Sequence, residues 1–171
     1  MIRNGNHHCT TTGRKEKSIG MDARYFEDWK VGDRIETMGR TVGDSEISQF
    51  VALGGFFEEL FMSDEYVARK SLYPKRFAPG ALIFSFTEGL IILSGCIHGV
   101  GLALVGVDAM TFKRPLFAGD TMRVIVDVTD TRATSKGDRG IVTFRHRVLN
   151  QSGEDVMECV VKRMLKGRNY K

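Results

Sequence analysis

The spacing of apolar residues changes midway along the chain. Between residues 43 and 93 they recur at intervals of three and four, the period of helices that bury one face. From Leu102 onward the period becomes two, which indicates strands with one buried face. The clearest alternating set is Met122, Val124, Val126 and Val128. The chain is therefore predicted to place its helices before most of its strands.

Two short helices and a strand are predicted first. Residues 34–42 form the strand, and residues 43–46 (GDSE) follow it with a cap position and a glutamate three residues later, typical of a helix start. Gly54-Gly55 ends this helix. Ser63 caps the second helix, whose first turn is acidic and whose last turn is basic, an order that the helix dipole favours.

A longer helix is predicted from Pro79 to residues 94–95. Proline suits a first turn because its missing N–H has no intrahelical partner there. Almost every face of this helix is apolar, as expected of a helix wrapped by a sheet. Hairpin turns at residues 136–138 and 150–153 join the later strands. This order predicts an α+β fold with an antiparallel sheet around the long helix.

Composition and charge exclude several classes of protein. The 171 residues suit one domain, and 42% hydrophobic with 27% charged residues is ordinary for a soluble globular chain. Residues 1–20 carry four basic residues against one acidic, so they hold most of the net charge of +4 and no nucleic-acid partner is expected. The apolar run at 77–93 contains Glu88 and is short for a membrane span, so no membrane partner is expected.

The amino-terminal segment and the cysteines indicate a cytoplasmic protein. Residues 1–20 lack the apolar stretch of a secretory signal, and we expect a disordered extension before a single domain at 21–171, with Met21 as a plausible start. The odd cysteine count without CxxC spacing argues against a disulfide framework or a zinc site. The cysteines are Cys9, Cys96 and Cys159, and the adjacent His7 and His8 lack further ligands, so no metal site is predicted.

Three segments resemble the MaoC-like (R-specific enoyl-CoA hydratase) family of hotdog-fold proteins. They are FVALGGFFEELFMSDEYVARK at 50–70, RFAPGALIFSFTEGLIILSG at 76–95 and FKRPLFAGD at 112–120. The resemblance covers roughly residues 25–166. It implies a curved antiparallel sheet around one central helix, and protomers that pair into a homodimer or higher homo-oligomer. It also implies an acyl-CoA thioester pocket at the interface and no cofactor, with coenzyme A entering only as part of the substrate.

The family's acid-base pair is replaced in this chain. Its loop usually has the sequence GDxNPLH, in which Asp and His move protons, whereas residues 55–61 here are GFFEELF. Phe56 and Phe61 therefore stand at the two acid-base positions and are expected to line the pocket. Glu58 is the candidate substitute, because a carboxylate desolvated among phenylalanines suits a general acid or base. The alternative is that Glu58 and Glu59 are solvated loop charges.

The start of the long helix is the candidate oxyanion site. The resemblance places the thioester oxygen at backbone N–H groups near Pro79 and Gly80, and a helix start presents free donors. Ser85 falls where the family has a helical serine that helps to align the catalytic loop. Glu88, one turn later, is where some hotdog thioesterases carry an acidic residue. Its alternative role is a buried carboxylate paired with Arg114 or Lys113.

The remaining candidates have weaker support. His98 follows the long helix near a possible pocket mouth, although a lone loop histidine is more often a surface residue. His146 is expected to be a hydrogen-bonded sheet residue. Arg114 is expected to meet the phosphates of coenzyme A, while the neighbouring proline, glycine and aspartate shape the strand end.

The sequence is compatible with three functions. The first is a hydratase or dehydratase acting on a 2-enoyl or 3-hydroxyacyl thioester with an altered site. The second is a hotdog acyl-CoA thioesterase that directs water through Glu88 or Glu58. The third is a non-catalytic acyl-CoA-binding or structural subunit, which the two phenylalanines suggest directly. Fold analogy favours the first.

Overall fold

A curved antiparallel sheet forms most of the second half of the chain. The computed structural model describes residues 23–171, so the expectations for residues 1–20, Met21 and Cys9 lie outside the described residues. The strands are β1 (Arg34–Glu36), β2 (Arg40–Thr41), β3 (Gly101–Phe112), β4 (Thr121–Ala133), β5 (Arg139–Leu149) and β6 (Asp155–Lys166). The helices are α1 (Asp44–Gly54), α2 (Glu59–Met62), α3 (Asp64–Lys70) and α4 (Gly80–Leu93), and a 3-10 turn spans Phe26–Asp28.

The order of strands in the sheet is β1-β4-β5-β6-β3, with β2 pairing the start of β4. Every pairing is antiparallel. Strand β3 is an edge strand, and three register shifts interrupt its pairing with β6. The predicted hairpins are confirmed, because β4, β5 and β6 follow one another through short turns. The sheet therefore has an open edge along β3.

Helix α4 packs one apolar face against the sheet. Its buried residues are Leu82, Ile83, Thr87, Leu90 and Ile91, and they join a core with the inward-facing side chains of β4, β5 and β6. The predicted α+β hotdog fold is thus confirmed. Within one chain the sheet leaves part of this apolar helix uncovered, because Ile92 and Leu93 are more than half exposed. A single sheet covers only one side of a helix.

Two further details differ from the sequence predictions. The strand predicted at 34–42 is split into β1 and β2, because Thr37 turns its hydroxyl inward to accept a hydrogen bond from Val124 N at 3.0 Å. Pro79 is the residue that precedes α4, in an extended conformation, and Gly80 is the first helical residue. No helix within residues 23–171 is long and apolar enough to cross a membrane.

Candidate functional site

A groove of about 270 Å³ lies at the amino end of α4. Its walls come from two chain segments that meet there, the one leading into α4 and the one leaving β3. Ala78 N donates to Leu116 O at 2.8 Å, and Phe77 forms an isolated bridge with Phe117. The lining residues are Tyr73, Ala78, Gly80, Ile83, Phe112, Lys113, Arg114 and Pro115. The groove is therefore fixed by backbone pairing and not by loops alone.

Gly80 allows the close packing that shapes this groove. A Cβ atom at residue 80 would lie 2.6 Å from Cζ of Phe112, so the aromatic ring rests directly on the helix start. Within residues 23–171 no acceptor is found for the N–H groups of Gly80 and Ala81. Unpaired donors at a helix start favour a partial negative charge. The predicted oxyanion position thus has both space and free donors beside it.

The cationic side chains of the groove are already paired with carboxylates. Lys113 Nζ lies 2.7 Å from Glu158 Oε2, and Arg114 Nε lies 3.3 Å from Glu154 Oε1. Hydrogen bonds from Arg145 and Lys113 lower the pKa of Glu158 to about 2, so this carboxylate stays ionised. Arg114 also donates to Asp155 O at 3.0 Å. A ligand phosphate would therefore compete with fixed carboxylates for these cations.

The two phenylalanines at the expected acid-base positions point into an aromatic row. Phe56 lies 5.5 Å from Phe50 and 6.3 Å from Phe61, measured between ring centroids. The row continues through Phe77, whose ring is 5.6 Å from that of Phe61. Phe77 in turn contacts Tyr73 of the groove at 4.6 Å. The phenylalanines are thus connected to the groove by packing, and they fill the space between loop and helix.

Glu58 and Glu59 are exposed in the single chain. Glu58 immediately precedes α2 in an extended conformation and its side chain makes no hydrogen bond within residues 23–171. The desolvated setting expected for a general base is therefore absent from one chain on its own. A catalytic role for Glu58 requires that a second molecule cover it.

Arg76 holds the loop at residues 55–61 in place. This role was not predicted from the sequence. Its guanidinium donates to Asp44 Oδ1 at 2.5 Å, to Ser48 Oγ at 3.2 Å and to Phe61 O at 3.4 Å. Asp64 lies 3.6 Å away. One side chain thus joins α1, α2 and the start of α3. A lone arginine just before a predicted helix offered no periodic pattern from which this role could be inferred.

Ser85 does not reach the loop through a hydrogen bond. Its hydroxyl donates to Ala81 O at 2.9 Å, one turn earlier in α4, and the side chain is exposed. His98 is exposed in the turn after α4. Because α4 has 14 residues, His98 lies about 20 Å from Gly80 along the helix axis. Within one chain the structure therefore does not bring His98 to the groove.

Glu88 lies in the interior but not with the partner expected for it. Arg163 donates a short hydrogen bond to its Oε2, whereas Lys113 and Arg114 pair with other carboxylates. The pairing expected with Arg114 or Lys113 is thus wrong, because β6 passes beside Glu88 and carries Arg163 to it. Arg163 is 8% exposed, so the ion pair is shielded from solvent.

His146 completes this buried cluster without a hydrogen bond. Its Nδ1 lies 3.9 Å from Glu88 Oε1, and neither ring nitrogen has a partner within residues 23–171. The expectation of a hydrogen-bonded histidine is therefore wrong. Burial, with the nearby charge of Arg163, lowers the pKa of His146 to about 3, so the ring is neutral. This cluster is remote from Gly80 and contributes to the core.

The described cysteines are buried free thiols. Burial raises the pKa of Cys159 to about 11, and it also raises the pKa of Cys96. Neither thiol is therefore a reactive nucleophile. Among residues 23–171 no group of three or more His, Cys, Asp and Glu side chains is arranged to hold a metal ion.

The chain is similar to several known proteins. The family described as FAS1-like, dehydratase domain region, matches residues 23–159. The mesaconyl-CoA hydratase of Cereibacter sphaeroides is 31% identical over 147 residues, which cover 85% of this chain but only 42% of that protein. The (R)-specific enoyl-CoA hydratase of Aeromonas caviae is 29% identical over 135 residues, 78% of this chain and 94% of that one.

A solved structure shows the same similarity in three dimensions. The MaoC-like dehydratase from Rhodospirillum rubrum superimposes with a TM-score of 0.75 at 30% identity, covering 85% of this chain and 99% of that chain. Fold and groove together define a hotdog protein whose central helix begins beside an open groove. The chain belongs to the MaoC-like dehydratase family.

We expect replacement of Arg76 to loosen the loop. Arg76→Met removes a mostly buried cation (15% exposed) and leaves Asp44 unpaired, so the free energy of unfolding should fall by about 2 kcal/mol. The matched control is Arg69→Met, whose exposed pair with Glu65 should be worth less than about 0.5 kcal/mol. Urea unfolding measures both, and equal losses would contradict the clamp assigned to Arg76.

We expect His146 to make the fold sensitive to acid. Its pKa is about 3 when folded against 6.5 when unfolded, so the unfolded chain binds more protons and stability falls as the pH drops from 6.5 toward 3. Between pH 7 and pH 4.5 this loss should be about 2–3 kcal/mol larger in the wild type than in His146→Leu. Urea unfolding at both pH values gives the difference.

The control for this measurement is His98→Leu, because His98 is exposed. It should keep the acid sensitivity of the wild type. A His146→Leu variant that loses as much stability as the wild type over this pH range would disprove the role given to His146.

Proposed function

We propose that this chain binds acyl-CoA thioesters in the groove at α4 and catalyses hydration of a 2-enoyl thioester or the reverse dehydration. The observation that carries the proposal is the pair of unbonded N–H groups at Gly80 and Ala81, beside a groove with cationic residues on its wall. Family membership and the hydratases among the relatives support the reaction type. The reaction needs no cofactor beyond the coenzyme A of the substrate.

The roles follow from the chemistry of hydration. Water adds its oxygen to C3, a proton is delivered to C2, and negative charge builds up on the thioester oxygen between these events. We assign that oxygen to the N–H donors of Gly80, with Pro79 holding the chain that leads into them. Glu58 is assigned the proton transfer, and it can fill this role once a partner protomer covers it. Ser85 is assigned the support of this loop.

Binding of the substrate is assigned to the surrounding residues. Arg114, with Lys113 beside it, would meet the phosphates of coenzyme A by exchanging their present carboxylate partners. Phe56 and Phe61 would contact the acyl chain as part of the aromatic row. His98 and Glu88 lie beyond the groove within one chain, so they would contact substrate only through a second protomer or a long acyl chain.

A non-catalytic acyl-CoA-binding role is the second candidate. It is favoured by Phe56 and Phe61, which fill both acid-base positions with rings that pack on their neighbours and cannot exchange a proton. Thioester hydrolysis through Glu88 has less support, because Arg163 holds that carboxylate about 12 Å along the helix from Gly80.

We also propose that the chain acts as a homodimer in the cytoplasm. Strand β3 is an open edge, and four of its apolar residues are 37–47% exposed in one chain: Leu104, Val105, Met110 and Phe112. An unpaired edge with apolar side chains favours pairing with another strand. Phe112 at the end of this strand also lines the groove, so pairing would place a second protomer beside the groove.

Light scattering tests the dimer. We expect a mass of twice 19.2 kDa for the wild type, and we expect Val105→Asp to give the monomer because a charge would be buried between paired strands. Val31→Asp is the control, since Val31 is exposed in a turn away from β3. A monomeric wild type would disprove the assembly.

Turnover of trans-2-butenoyl-CoA and longer 2-enoyl-CoA thioesters tests the reaction. We expect loss of the conjugated enoyl absorbance without release of free thiol, and a Glu58→Gln rate lower by about 100-fold. Glu65→Gln, an exposed glutamate on α3, should retain the wild-type rate. Thiol release detected with a thiol-reactive dye would instead show hydrolysis. Tight binding without either signal would establish the non-catalytic role.

A further inference from the structure

Among the described residues that line the groove, Tyr73 is a polar side chain without an ion pair or a side-chain hydrogen bond. Lys113 and Arg114 also line it, but each is paired with a carboxylate. Within residues 23–171 the phenol of Tyr73 makes no hydrogen bond, although the side chain is only partly exposed. A phenol can donate and accept a hydrogen bond and is uncharged, so it needs no counter-ion.

The ring of Tyr73 is held by the same backbone pairing that shapes the groove. Its centroid lies 4.6 Å from that of Phe77 and 6.5 Å from that of Phe117, both edge-on. These two phenylalanines are bridged through their backbones, and Phe77 directly precedes Ala78 of the groove. The nitrogen of Tyr73 donates to Ser71 Oγ at 3.0 Å, which fixes the turn. A donor held in this way loses little entropy when it binds a ligand.

We propose that Tyr73 is a catalytic residue that donates a hydrogen bond to the thioester oxygen, together with the N–H of Gly80. The inference rests on the proposed function of the groove. Water bonds to C3 and gives a proton to the carboxylate of Glu58, while the electron pair of the C2–C3 double bond moves toward the thioester oxygen and forms an enolate. The proton held by Glu58 then joins C2, and the electrons return to the carbonyl. Tyr73 keeps its proton throughout and lowers the energy of the enolate.

The cations of the groove are poorer donors for this oxygen. Each is already paired with a carboxylate, and that negative charge weakens its attraction for the charge that develops on the thioester oxygen. Tyr73 breaks no ion pair. Preorganised donors stabilise a transition state because they need no rearrangement during the reaction. Neutral Tyr73 therefore complements the backbone donors, while Lys113 and Arg114 remain available for phosphates.

The test compares Tyr73→Phe with the wild-type 171-residue chain. This change removes only the hydroxyl and retains the ring contacts with Phe77 and Phe117. With trans-2-butenoyl-CoA we expect kcat to fall by about 100-fold and KM to change by less than about threefold, because the bond is strongest in the transition state. Tyr66→Phe, on α3 outside the groove, is the matched control and should match the wild type.

A ligand that carries the charged oxygen gives a second readout. Acetoacetyl-CoA is a 3-oxo thioester whose enolate has a distinct near-ultraviolet absorption. We expect the wild type to bind it as the enolate, and Tyr73→Phe to bind it at least about tenfold more weakly with loss of that absorption. Tyr73→His retains a ring N–H donor and should recover part of the binding. It also serves as the test variant if Tyr73→Phe does not fold.

The outcomes distinguish a failure of the proposed function from a failure of the role given to Tyr73. If the wild type neither turns over the enoyl thioester nor binds acetoacetyl-CoA, the proposed function and the role of Tyr73 are both overturned. If the wild type does either and Tyr73→Phe equals it, only the role of Tyr73 is overturned. If Tyr73→His binds acetoacetyl-CoA as weakly as Tyr73→Phe does, the donor role is overturned. If Tyr73→Phe does not fold, a Tyr73→His affinity below about a tenth of the wild-type affinity overturns it.

Discussion

Burial of one face of α4 against the curved sheet is the constraint on which the rest of the molecule depends. Leu82, Ile83, Leu90 and Ile91 are each 3% exposed or less, and they fix the helix in position along β4. Transfer of such side chains from water contributes about 1.5–3 kcal/mol each. With the helix fixed, its first turn emerges beside the end of β3. The groove, the free N–H groups and the aromatic row all take their positions from that one packing arrangement.

Local pattern was enough to predict most of the fold. The three longer helices and the strands β4, β5 and β6 lie where spacing and turn residues placed them, because each has a regular period and clear ends. The break between β1 and β2 was not predictable, since it depends on a hydrogen bond between Thr37 and Val124, 87 residues apart. Helix α2 is a single turn, too short to show a period.

The candidate site was predictable only in part. Gly80 and Arg114 line the groove and Pro79 directly precedes Gly80, because each residue lies in one of the short motifs that carry the family resemblance. The partner of Glu88 could not be inferred, since Arg163 is 75 residues away on a strand whose register no local pattern specifies. The ring of Tyr73 packs on Phe77 and Phe117, and Arg76 contacts several elements. Such roles leave no periodic trace in a sequence.

The ion pairs on the groove wall have a consequence for which anions the protein can hold. An incoming singly charged anion would merely replace Glu158 at Lys113 or Glu154 at Arg114, one carboxylate for another, with almost no net gain. A dense polyanion such as a diphosphate could engage both cations at once and offset the loss of both carboxylates. A diphosphate would therefore gain more at this wall than a singly charged carboxylic acid would.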